Sequence, residues 1–168
     1  MQLDHYNTKF KKKTFPITVV CDQVSNAPNI GSLFRIVDAF GIENIIFCGK
    51  GVNLNRKTAK TSRATEKVVN YELNKEALEV THSLIKDGYK IIALEITKNS
   101  KPLHNFKVYK DTPHALLIGD ENFGISDELL KLADDIIHID MYGQNSSMNV
   151  VQATNVALYE LTKQFLKK

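Results

Sequence analysis

Ile17-Thr18-Val19-Val20-Cys21-Asp22 opens a stretch that continues through Ser25-Asn26-Ala27-Pro28 and Asn29-Ile30-Gly31-Ser32-Leu33-Phe34-Arg35 to Phe40-Gly41, and closes on Ile45-Ile46-Phe47-Cys48. The first run is apolar and β-branched, which marks a buried strand. Ser25 to Pro28 is turn-like. Asn29 then precedes a helical pattern in which Leu33, Phe34, Val37 and Phe40 share one face, and Gly41 stops it. Ile45–Cys48 is a second strand. Strands this apolar have no wet face, so they belong in a parallel sheet covered by helices on both sides.

The same alternation continues outward. Residues 49–67 are polar and basic, a long loop with room for one helical turn, and loops of that length are uncommon unless they have a function. Val68–Leu73 reads as a short strand, and Lys75–Lys86 as a helix closed by Gly88. Lys90–Ile96 is a strand, Thr97–Pro113 a polar stretch, and Ala115–Ile118 a strand running into Gly119. Ser126 caps a short helix whose first turn holds Asp127 and Glu128, favourable against the helix dipole. Asp135–Ile139 is a strand, Gly143–Ser147 a loop and Met148–Leu166 a long helix. The expected fold is α/β, a mostly parallel sheet flanked by helices. In such sheets ligands bind beyond the carboxyl ends of strands. The unusual residues collect there: Asn29 to Arg35, Gly119 to Gly124, and Ile139 to Asn149.

The 168 residues suit one domain, 1–168, with residues 1–16 as a basic extension. Hydrophobic residues make up 43% and charged residues 24%, a globular balance. The net charge of +3 hides an asymmetry. Residues 1–67 hold 11 Lys/Arg against 5 Asp/Glu, and the remainder 11 against 14. Only Arg35, Arg56 and Arg63 among the 22 basic residues are arginine, so each position invites a reason specific to guanidinium. The N-terminus has no apolar core of a secretory signal, and the apolar runs are too short to span a membrane. Cys21 and Cys48 sit singly in apolar runs, as reduced thiols of a cytoplasmic protein do. The scattered histidines share no metal-ligand spacing, so no metal is expected.

Three segments carry chemistry. In Asn29–Arg35, Asn29 can cap a helix and Arg35 can pair with Asp38 on a wet surface. Alternatively, a lone arginine one helical turn above a strand terminus can bind phosphate through both arms of its guanidinium. In Gly119-Asp120-Glu121-Asn122-Phe123-Gly124-Ile125-Ser126, a tight turn into a helix explains the glycines and Ser126, but turns do not favour Glu121. In Gly143-Gln144-Asn145-Ser146-Ser147-Met148-Asn149, one cap would suffice, yet a run of amide and hydroxyl residues can supply many hydrogen bonds to a ligand. No G-x-G-x-x-G, G-x-x-x-x-G-K-[ST] or G-x-S-x-G pattern is present, which speaks against a dehydrogenase, a P-loop enzyme and a hydrolase elbow.

In order and spacing, these segments resemble the three motifs of the SpoU (TrmH) family of SPOUT-superfamily RNA methyltransferases. The first, N-x-G-x-x-x-R, is Asn29, Gly31 and Arg35, continuing into Ala39-Phe40-Gly41. The second, G-x-E-x-x-G, is Gly119, Glu121 and Gly124. The third, S-[LM]-N-V, is Ser147, Met148, Asn149 and Val150. The resemblance covers about Ile17 to Leu161. Three positions depart from the pattern: Asp140 stands where Pro is usual, Ala27 where Asp is common, and Val151 where Ser is usual.

The resemblance implies an α/β knot, with the C-terminal segment threaded as a trefoil, and a homodimer with its active site at the subunit interface. It implies transfer of a methyl group from S-adenosylmethionine to a ribose 2′-hydroxyl of tRNA or rRNA. Arg35 becomes the main catalytic residue, acting at the partner subunit's cofactor, with Asn29, Glu121, Ser147 and Asn149 ordering the site. Cofactor contacts fall to Ile118, Gly119, Glu121, Gly124, Ile139, Asp140, Met141, Ser147 and Met148. A guanidinium whose pKa exceeds about 12 is a poor base, so a phosphate clamp is the favoured role for Arg35. Lys11, Lys12 and Lys13 of the extension, with Lys9, and Arg56, Lys57, Lys60 and Arg63 of the basic loop are expected to bind RNA backbone. The long C-terminal helix has apolar residues enough to pack on the sheet and contribute to a dimer. The rival readings are an rRNA target and a catalytically silent RNA-binding protein of the same fold.

Overall fold

β1 (Phe15–Asp22) and β2 (Ile42–Cys48), the two strands read first from the sequence, pair in parallel near the middle of a seven-stranded sheet. The computed structural model describes residues 10–167. Successive residues of β1 point to opposite faces, as the pleat requires. Ile17, Val19 and Cys21 enter one core and Val20 the other, all nearly free of solvent. Each large apolar side chain so buried contributes about 1.5–3 kcal/mol.

The remaining strands are β3 (Tyr71–Lys75), β4 (Lys90–Leu94), β5 (Lys101–Pro102), β6 (His114–Gly119) and β7 (Asp135–His138). The sheet order is β3-β2-β1-β6-β4-β7-β5, and every ladder between these strands is parallel. Parallel neighbours need crossovers, and the helices supply most of them. α1 (Ala27–Ala39) and α5 (Val150–Leu166) contribute to the first core and pack on each other. α3 (Ala77–Lys86) and α4 (Asp127–Leu132) contribute to the second. α2 (Arg56–Ser62) lies outside the sheet against α1. From β1 the chain builds β2 and β3 on one side, and later fills the other side with β6, β4, β7 and β5. Asp22 and Gly119 are paired at the carboxyl ends of β1 and β6, where the order switches. A crevice opens there in open α/β sheets.

Several boundaries differ from the sequence reading. α1 starts at Ala27, capped by Asn26 rather than Asn29. The stretch 49–67 is not a loop with a single turn. It holds α2, capped by Asn55, and a 3₁₀ turn at Thr65–Lys67. β3 begins at Tyr71, three residues later than expected, and a two-residue strand, β5, interrupts the polar stretch after β4. β1 starts at Phe15 inside the expected extension, and Phe15 is buried. Ser126 holds the N-cap position of α4, but its hydroxyl makes no capping bond, while Asp22 accepts from its backbone N–H at 3.1 Å. Among the described residues no helix is long and apolar enough to cross a membrane.

Candidate active site

The first turn of α1 explains how Asn29 becomes available. Asn26 Oδ1 takes the capping bond, accepting from the Asn29 backbone N–H at 3.2 Å, and Pro28 occupies a first-turn position that needs no donor. The Asn29 side chain is therefore free to reach across the crevice, where its Nδ2 donates to Glu121 Oε1 at 3.0 Å. Asn149 Nδ2 donates to the same carboxylate oxygen and lies 3.5 Å from Asn29 Oδ1. Asn149 Oδ1 caps α5, accepting from Val151 N at 2.9 Å and Gln152 N at 3.4 Å. One residue from each of the three sequence segments thus meets in a single hydrogen-bonded node.

Glu121 is held out by a tight turn after β6. Gly124 N donates to Asp120 O at 2.8 Å, and Asn122 N donates to Asp120 Oδ1 at 2.8 Å. Gly124 has φ +67°, a conformation costly for a residue with a Cβ. A Cβ on Gly119 would lie 2.1 to 2.4 Å from the backbone of Gly124 and Ile125, so nothing larger fits at the floor of the turn. The geometry explains the glutamate that turn preferences did not: it is aimed at two amides from other elements.

Beside the node lies a cleft of about 680 Å³, within the range of small-molecule sites. Ile118, Gly119, Glu121, Gly124, Ile139, Met141, Ser147 and Met148 all line it. Asp140 does not. Its carboxylate turns to His104 Nδ1 at 3.2 Å and His138 Nε2 at 3.4 Å, and His138 Nδ1 in turn meets Ser100 Oγ at 2.9 Å. Leu94 to Lys98, from the last residue of β4 onward, also line the cleft and were missed by the sequence reading. Glu95 among them braces the turn, accepting from Ile125 N at 3.1 Å. No motif marks these residues, and the available signal was only that β4 ends at the same sheet edge as β6. Acidic Glu95, Asp120, Glu121 and Asp127 outnumber Lys98 around the cleft, so its local field favours a cation.

Arg35 is exposed on α1, outside the cleft lining. Among the described residues it makes no ion pair; the surface pair with Asp38 is absent. Gly31, one turn earlier, is the contact point with α2. On α2, Arg56, Lys57 and Lys60 are exposed, and Arg63 follows in a left-handed conformation at φ 52°. Lys11, Lys12 and Lys13 are exposed as well, with the Lys13 ammonium 5.1 Å from the Phe15 ring centroid. Lys9 lies outside the described residues. Neither cysteine offers a thiolate: burial pushes the Cys21 thiol well up, and burial with nearby Asp22 raises Cys48 to about 12.

Residues 16–159 match the SpoU rRNA Methylase family, and this chain belongs to that family. Among relatives, the tRNA (guanosine(18)-2′-O)-methyltransferase of Aquifex aeolicus is 30% identical over 158 residues, covering 92% of this chain and 72% of that protein. The tRNA (guanosine(18)-2′-O)-methyltransferase of Escherichia coli K12 is 28% identical over 148 residues, covering 88% of this chain but 63% of that protein. The crystal structure of the A. aeolicus TrmH/SpoU tRNA modifying enzyme superposes with a TM-score of 0.81 at 29% identity, covering 91% of this chain and 77% of that one.

Proposed function

We propose that this protein methylates a ribose 2′-hydroxyl of RNA, tRNA before rRNA, with S-adenosylmethionine as methyl donor. The carrying observation is the node of Asn29, Glu121 and Asn149 at the mouth of the cleft. The cleft fits the donor: it has the volume, apolar walls from Ile118, Ile139, Met141 and Met148, and an acidic surround suited to a sulfonium. Bound there, S-adenosylmethionine supplies a methyl group on a positively charged sulfur. The family membership and the names of the tRNA-modifying relatives support the substrate class.

The residues of this chain bind and orient. Ile118, Gly119, Gly124, Ile139, Met141 and Met148 pack and hydrogen-bond the donor, with Ser147 at the same wall. Asn29, Glu121 and Asn149 fix the mouth where the ribose enters, which turns an encounter into an aligned attack. Arg35, without an ion pair among the described residues, has a planar guanidinium that clamps the phosphate beside the target ribose through two hydrogen bonds. The hydroxyl proton leaves to that phosphate or to water, because a group with a pKa above about 12 does not take it up unaided. Arg35 lies away from its own cleft, which supports a homodimer in which it serves the cleft of a second copy. Exposed Val156 and Tyr159 on α5, with Phe40 of α1 beside Tyr159, offer apolar surface for that pairing. Lys11, Lys12, Lys13, Arg56, Lys57, Lys60 and Arg63 hold the RNA backbone. In this reading residues 1–168 act as one cytoplasmic domain, and the C-terminal segment is threaded as a trefoil knot.

The test is Arg35→Ala. Transfer of labelled methyl from S-adenosylmethionine to bulk tRNA should fall about a hundredfold or more, on the scale of losing one preorganised donor. Calorimetric affinity for S-adenosylhomocysteine should not change. An Ala variant that methylates at the wild-type rate would refute the role of Arg35, and a wild-type protein that methylates neither tRNA nor rRNA would refute the function.

A further inference from the structure

Phe123 and Tyr142 are the most conspicuous side chains that the site leaves unused. Phe123 is 88% exposed and Tyr142 91%, although both belong to segments that build the cleft. Phe123 lines the cleft two residues after Glu121, and Tyr142 follows Met141, which lines it too. The turn carrying Phe123 is not loose. Asp120 ties it through Asn122 N and Gly124 N, each at 2.8 Å, and Glu95 anchors its far end through Ile125 N. A fixed turn therefore holds an aromatic ring out in water, where a partner that covered it would gain from its burial. A ribose delivered to the node beside Glu121 brings its own base and its neighbours' bases to this rim.

We propose that Phe123 is a stacking platform for an unstacked base of single-stranded RNA next to the methylated ribose, with Tyr142 a second exposed ring beside the cleft lining. The inference rests on the RNA-methylating reading above and names how that site engages its substrate. Bases splayed from loops are recognised by stacking on aromatic rings, and a ring with two rotatable bonds loses little entropy on binding. Stacking tolerates any base, so the platform positions the nucleotide, and discrimination among sequences falls to other contacts.

The chain contains no tryptophan, so Phe123→Trp places a single indole in the molecule. Titration of that variant with bulk tRNA from cells lacking the protein should quench its emission in step with binding. In parallel, Phe123→Leu keeps apolar bulk but loses the stacking face, and should raise KM for the same tRNA about 5- to 100-fold. Phe123→Tyr should restore the wild-type KM. Indole emission that ignores saturating tRNA would overturn the proposal, as would a Leu variant with wild-type KM. Emission already blue-shifted without RNA and dependent on protein concentration would overturn it too, by showing that a second copy covers the ring. Failure of the function itself reads differently: the wild type would then methylate no RNA at all.

Discussion

Replacing Gly31 with alanine tests how the first motif couples the site to α2, the helix proposed to face RNA. A Cβ at residue 31 would meet Thr61 Oγ1 at 1.9 Å, Thr58 O at 2.4 Å and Ser62 N at 2.9 Å. Ordinary contact begins near 3.4 Å, so the backbone of α2 must retreat by about 1 Å even after Thr61 changes rotamer. Overpacking of this kind costs about 1–3 kcal/mol. For a chain of this length each kcal/mol lowers the melting midpoint by roughly 2–4 °C, so a drop of about 2–12 °C is expected in a thermal melt. The displaced helix carries Arg56, Lys57 and Lys60, so RNA affinity should fall while affinity for S-adenosylhomocysteine holds. Adding Thr61→Ala should recover little, because the Thr58 carbonyl stays in the way. If Gly31→Ala melts with the wild type, or if Thr61→Ala rescues it fully, the backbone-approach argument is wrong.

Two further outcomes follow from single contacts. Glu121→Ala removes the common acceptor of Asn29 and Asn149, and methyl transfer should fall about tenfold or more. The node is open to solvent, so stability should change by about 1 kcal/mol or less, and a large loss in a denaturant titration would mean the node is structural instead. His114, stacked against Tyr109 and edge-on to Phe165, has its pKa lowered by burial, which outweighs the Thr112 backbone and the Asp134 charge acting the other way. A depressed folded-state pKa means that protonation favours the unfolded chain. The stabilisation is complete above the unfolded value of about 6.5 and is lost as pH falls below it. His114→Gln should flatten the decline in denaturation midpoint between about pH 7 and pH 5, and an unchanged slope would exclude His114 as its source.

The parts of the fold legible in the sequence are those with a strong physical signature. Ile17–Cys21, Ile45–Cys48 and Ala115–Ile118 are apolar on both faces, which only a covered parallel sheet accommodates. α2 was hidden because Arg-Lys-Thr-Ala-Lys-Thr-Ser has no apolar stripe. Its stability comes from Asn55 and from packing on Gly31, a tertiary fact that no local window carries. The start of α1 was misplaced because Asn26 and Asn29 are equally good caps by type. Only the structure shows that Asn26 takes that role and frees Asn29 for Glu121. In the site, motif residues could be named in advance, but Leu94–Lys98 could not. They join the cleft because β4 lies next to β6, and strand order is a property of the whole chain. Asp140 illustrates the opposite limit: it lies within a cleft-lining segment, yet His104 and His138 draw its carboxylate away.

Asn149 holds two jobs with two atoms, since its carbonyl oxygen starts α5 while its amide nitrogen completes the node with Glu121. The last helix cannot begin correctly without placing that amide, and the node cannot close until the helix has docked on α1. A chain cut short after β7 would retain much of the sheet yet lack the residue that joins Glu121 to the helix. Closure of the node is thereby tied to the docking of α5.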